Sequence, residues 1–160
     1  MTRPTRWAGW ALRTGLAAFL AGCGTGPAPA GKALPAATYV PMPGRPDLPF
    51  SAVVKVGPML YLSGQLGTDS TGKLVAGGIG PETAQALANI RTLLEANGSG
   101  MERVVKCTAM LADMAEGGAM NESYRRSFPA HPPARSAFGT SGLAMGARIE
   151  LECIALGDAG

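Results

Sequence analysis

The chain has 160 residues, 46% of them hydrophobic and 16% charged, a balance that excludes a disordered polymer and suits one folded domain with an added segment. One histidine and three separated cysteines leave no close pairs of His and Cys of the kind a structural zinc site draws on. The formal charge of +3 would indicate a polyanionic partner only if it lay on the folded part, and its distribution along the chain excludes that.

Arg3, Arg6 and Arg13 are the only charges before Lys32. They precede a short apolar run, Gly15-Leu16-Ala17-Ala18-Phe19-Leu20, and then Ala21-Gly22-Cys23. A basic start, a brief apolar stretch and small residues before a cut describe a secretory leader, too short to span a bilayer. Leu20-Ala21-Gly22-Cys23 also resembles a bacterial lipobox, which predicts a signal peptide over 1–22 and acylation of Cys23. The alternatives are an ordinary cleaved leader with a chance cysteine, or a start at Met42. Removal of the leader leaves 11 basic residues against 11 acidic ones, so the mature part is neutral and carries no signature of a nucleic-acid binder. Residues 23–39, rich in Pro, Ala and Gly, are expected to be the lipidated cysteine and a tether, with the domain over 40–158.

Within the domain, Ser51–Val56 and Met59–Ser63 read as strands joined by a Gly57-Pro58 hairpin turn. Gly64 then interrupts the second strand, which marks a bulge or a close backbone approach. Residues 67–80 read as a loop. Gly77-Gly78-Ile79-Gly80 lacks the ending of a phosphate loop and is taken as a turn. Pro81-Glu82-Thr83 suits a helix start, Ala84, Leu87, Ile90 and Leu94 recur at helical spacing, and Asn97-Gly98 ends the run. Val104–Leu111 reads as a strand. Met120, Tyr124 and Phe128 define a second amphipathic helix that stops before Pro129. A strand through about Phe138 follows His131-Pro132-Pro133-Ala134-Arg135-Ser136. The last strand runs over Arg148–Leu156, with Ile149, Leu151, Cys153 and Ala155 on one face and Arg148, Glu150 and Glu152 on the other. The order β-β-α-β-α-β-β predicts an α+β domain with helices on one sheet face, leaving a polar face that is either wet or an interface.

Arg135 follows two prolines, so its guanidinium is pre-positioned to grip a carboxylate through two hydrogen bonds. Read without context, a lone arginine at a loop end is more often a surface residue. Glu150 and Glu152 share a strand face and would raise each other's pKa while positioning water, or form a solvated face with Arg148 as counter-ion. His131 has no evident nucleophile partner. Cys107 and Cys153 read as small buried residues, with a disulfide open in an oxidising compartment.

Taken together, several segments resemble the RidA (YjgF) family of imine and enamine deaminases. These are Leu62-Ser63-Gly64-Gln65, Gly72-Lys73-Leu74, Gly78-Ile79, Glu82–Ile90, Val104–Thr108, Asn121–Tyr124, Pro133–Ser136 and Ile149–Ala155. The resemblance covers residues 48–156 in family order. It implies a chorismate-mutase-like fold, with the two helices packed on one face of a mixed sheet, assembled as a homotrimer with sites between subunits. It implies hydrolysis of a 2-imino acid or its enamine to the 2-oxo acid and ammonia, without metal or cofactor. In that reading Arg135 clamps the substrate carboxylate and Glu152 positions water. Gly64 and Ala137 offer backbone groups, and Asn121 lies in the cleft. Phe50 stands where the family often carries tyrosine, and so loses a hydroxyl. A competing expectation is a non-catalytic, chaperone-like trimer that holds small carboxylates. An RNA-acting role disagrees with the neutral mature charge.

Overall fold

The computed structural model describes residues 35–158, so the expected leader and Cys23 lie outside the described residues. Nine elements follow in chain order: β1 (Ala37–Pro41), β2 (Ser51–Val56), β3 (Met59–Leu62), β4 (Gln65–Leu66), α1 (Ile79–Glu95), β5 (Val104–Leu111), α2 (Gly117–Ser127), β6 (Ala134–Gly139) and β7 (Ile149–Leu156). The expected β-β-α-β-α-β-β order is present, with β1 and β4 added to it. β1 begins at Ala37, so residues 37–39, expected in the tether, belong to the sheet. Ala37-Thr38-Tyr39-Val40 is long enough to pair with Lys55 and its neighbours but too short to announce itself among prolines.

The strands form one mixed sheet in the order β1-β2-β3-β7-β5-β6, with β4 also pairing β7. Only β5 and β6 run parallel. The β2–β3 hairpin turns at Gly57, whose φ of 56° lies in the left-handed region that glycine adopts without steric cost. Helix α1 carries Pro81 in its first turn and buries Ala86, Leu87, Ile90 and Leu94. It closes with Gly98 at φ 77° and the Ser99 N–H donated to the Leu94 carbonyl, a Schellman ending.

Both helices cover one face of the sheet. Leu87, Ile90, Leu94 and Met120 meet Leu60, Leu111, Ile149 and Leu151 in a single core cluster, each such side chain contributing about 1.5–3 kcal/mol on burial. Cys107 and Cys153 lie directly opposite each other on β5 and β7, both 1% exposed, and form a disulfide. Cross-strand partners share a face, which places Tyr39, Val54, Tyr61, Ile154 and Lys106 in one row on the other side. Among the described residues no element covers that side, and Tyr39, Tyr61, Phe138 and Leu156 stay exposed there.

Candidate functional site

The chain leaves α2, turns through Pro129 and Pro132-Pro133, and enters β6 at Ala134, so Arg135 is held one residue inside an edge strand. In register with Cys107, it points to the helix side of the sheet. There its Nη2 donates to Asn121 Oδ1 at 2.6 Å and its Nη1 to Met120 Sδ at 3.5 Å. Its guanidinium lies 4.6 Å from the centre of the Tyr124 ring, in cation–π range. Tyr124 in turn packs on Phe128, with ring centres 4.8 Å apart. Residues 120 and 121 stand four and three positions before 124, the spacings that share one helix face, so a single turn of α2 orients the whole guanidinium. Among the described residues no partner takes its other N–H groups, which are available to a carboxylate. The cavity above it measures about 480 Å³ and is lined by Asn121, Tyr124, Phe128, Pro132, Pro133 and Arg135.

Beneath this cluster the Tyr124 hydroxyl is buried without a hydrogen-bond partner. Burial pushes it up to about 12, with the Arg135 charge pulling the other way, so it stays protonated at any physiological pH.

Glu152 lies elsewhere. It pairs across to Thr108 on the open sheet face and borders a cavity of about 180 Å³ with Tyr61, Lys106, Thr108 and Ile154. Two residues along, Glu150 shares that face. Its carboxyl lies over Gly64, where a Cβ would collide with Oε1 and come within 2.8 Å of Cδ. Burial, and after it the charge of Glu152, hold Glu150 above the usual carboxyl range.

Arg135 and Glu152 therefore face opposite sides of the sheet, and one chain does not bring them together. Asn121 joins Arg135 directly, and Ala137 follows two residues later on the same face of β6, opposite Ala109. The gap at Gly64 is filled by Glu150. Phe50 is 49% exposed before β2 and lines neither the Arg135 nor the Glu152 cavity. The counter-ion expected for the β7 carboxylates is engaged otherwise: the Arg148 guanidinium bonds Glu116. His131 is exposed and belongs to a separate cavity with Arg91 and Arg126. Sequence reasoning passed over Tyr124 as a site residue, because a member of an apolar helical stripe reads as core. It gave Glu150 no role of its own, because nothing in β7 discloses the glycine across from it.

The family model described as endoribonuclease L-PSP matches residues 43–157. A mouse protein named 2-iminobutanoate/2-iminopropanoate deaminase is 44% identical over 109 residues, 68% of this chain and 81% of its own. The crystal structure of RidA from the Antarctic bacterium Psychrobacter sp. PAMC 21119 is similar at a TM-score of 0.65 and 34% identity, covering 68% of this chain and 89% of that one. That of E. coli TdcF with bound serine is similar at a TM-score of 0.66 and 26% identity, covering 69% and 90%.

Proposed function

Because the chain belongs to the endoribonuclease L-PSP (RidA/YjgF) family, we propose that it hydrolyses 2-imino acids and their enamine tautomers to 2-oxo acids and ammonia. The observation that carries this reading is the guanidinium of Arg135, fixed by Asn121, Met120 and Tyr124 at the wall of an open cavity. A clamp of that kind binds a small carboxylate side-on and fixes the carbon next to it, which converts an encounter into an oriented reaction. Glu152 holds the attacking water by accepting its proton, and the backbone at Gly64 and Ala137 lines the substrate. The imine carbon is already electrophilic, so orientation and one base meet most of the demand.

Since the clamp and Glu152 lie on opposite faces of one sheet, the complete site is formed between copies, in a homotrimer whose open faces pack together. The exposed Tyr61, Phe138 and Leu156 supply the apolar surface for that contact. The test is loss of 2-iminopropanoate generated in situ. Wild type is expected to clear it well above background and Arg135→Ala at background, whereas equal rates for the two would sink the reading. Phe50, without the hydroxyl often found at its position, favours a second reading in which the trimer only holds small carboxylates. Ligand-dependent melting without turnover would mark that case.

The protein is also read as an exported lipoprotein anchored through Cys23. The lipobox-like Leu20–Cys23 supports this, as does the Cys107–Cys153 disulfide, since such bonds persist in oxidising compartments. Palmitate is expected to label wild type and not Cys23→Ser, and an unlabelled wild type would refute the anchor.

A further inference from the structure

His131, the one histidine in the chain, stands apart from the Arg135 clamp. It borders a cavity of about 310 Å³ together with Arg91, Glu102 and Arg126, over a floor of Met101 and Phe128. The four polar groups come from four stretches of chain: α1, the turn Met101–Arg103, the last turn of α2 and the loop after it. The floor residues are only 7% and 5% exposed, and the Phe128 ring is braced by Tyr124. Phe128 also borders the clamp cavity, but Arg135 does not reach this one. Arg126 is pinned through its Nη2, which donates to Ser123 Oγ at 2.8 Å, and Ser123 is buried. Among the described residues its other N–H groups have no partner, and neither Arg91 nor His131 has one. The Glu102 carboxyl rests over Gly100, where a Cβ would come within 2.8 Å of Cδ. It forms no ion pair with either arginine.

We propose that this cavity is a second binding site, separate from the clamp, for a free amino acid with an apolar side chain, held as its zwitterion. A few convergent polar groups over an apolar floor are how small-molecule sites are built. Here the set holds both signs of charge. The ligand carboxylate takes the unpartnered guanidinium N–H groups of Arg91 and Arg126, with the His131 ring beside them. The ligand ammonium donates to the Glu102 oxygens, and the side chain lies on Met101 and Phe128, out of water. The ligand thus bridges charges that the protein leaves unpaired. A phosphate or other dianion would find the same arginines but also the like charge of Glu102, which penalises it. The volume lies at the small end of the range for ligand cavities, about 300–1,000 Å³, which suits a single amino acid.

The probe is L-leucine, titrated by calorimetry into Arg135→Ala, which removes the clamp as a competing carboxylate site. Saturable binding is expected. Adding Arg91→Gln or Glu102→Gln, both at exposed positions that the fold does not depend on, is expected to weaken it about tenfold each. Isocaproate, which is leucine without its ammonium group, is expected to bind about tenfold more weakly than leucine. Its binding is also expected to be indifferent to Glu102→Gln. No binding of leucine, or binding unchanged by Arg91→Gln, would overturn the site. Equal binding of leucine and isocaproate, or equal weakening of both by Glu102→Gln, would show that no ammonium is read and overturn it too. Inorganic phosphate binding more tightly than leucine would make the cavity a plain anion site, against the proposal. The deaminase reading stands or falls on the imine assay of wild type and is untouched by any of these results.

Discussion

Arg135 draws three different kinds of contact from one helical turn: a charge-assisted hydrogen bond, a sulfur acceptor and an aromatic face. Of the Tyr124 side chain, only the ring serves this arrangement, because its hydroxyl is buried and unpaired. Tyr124→Phe therefore removes a desolvated polar group and is expected to leave stability unchanged or raise it by about 1 kcal/mol. Titration with a 2-oxo acid is expected to give wild-type affinity in Tyr124→Phe. In Tyr124→Leu, where the cation–π face is gone, binding is expected to weaken by about threefold or more. Equal weakening in both variants would show that the hydroxyl matters and that the ring has been assigned too much. The two prolines marked the arginine as stiffly held, and the family resemblance alone gave it a role. The resemblance put Asn121 in the same cleft, but the bond between them was hidden, because 14 residues of helix end and loop separate them and only the packing of α2 on β6 closes that distance.

At the level of elements, periodicity disclosed what was long and hid what was short. The alternation of Ile149, Leu151, Cys153 and Ala155 marked β7 without ambiguity, and the stripe through Leu87, Ile90 and Leu94 marked α1. The two residues of β4 have no period to read, and the start of β1 is embedded in proline-rich chain. Whether Cys107 and Cys153 pair was equally hidden, since register between β5 and β7 is set by the hydrophobic faces of both strands and not by either alone. That register puts Cys107 against Cys153 and ties two neighbouring strands covalently across 46 residues. Closing a loop of that length stabilises by about 4 kcal/mol on the chain-entropy account. Calorimetry with and without reductant, or of the Cys107→Ala/Cys153→Ala double variant, is expected to show Tm falling by about 10–15 °C. An unchanged Tm would make the bond dispensable to the fold.

For the whole molecule, the division of Arg135 and Glu152 between two sheet faces has a consequence that can be measured with inactive proteins. Arg135→Ala and Glu152→Gln are each expected to fail in the imine assay. If every site takes its clamp from one chain and its base from a neighbour, refolding the two variants together restores about a quarter of the sites by random assortment. No recovery from the mixture would place both residues of a site on the same chain. The sheet order also has a mechanical meaning. Whatever precedes Ala37 enters through β1, at the opposite edge of the sheet from β6. A force applied along that segment is met first by the register pairs between β1 and β2. Two more ladders, β2–β3 and β3–β7, stand between it and the strand that carries Glu152. Tugging on the N-terminus would unzip the far hem of the sheet while the reacting end keeps its shape.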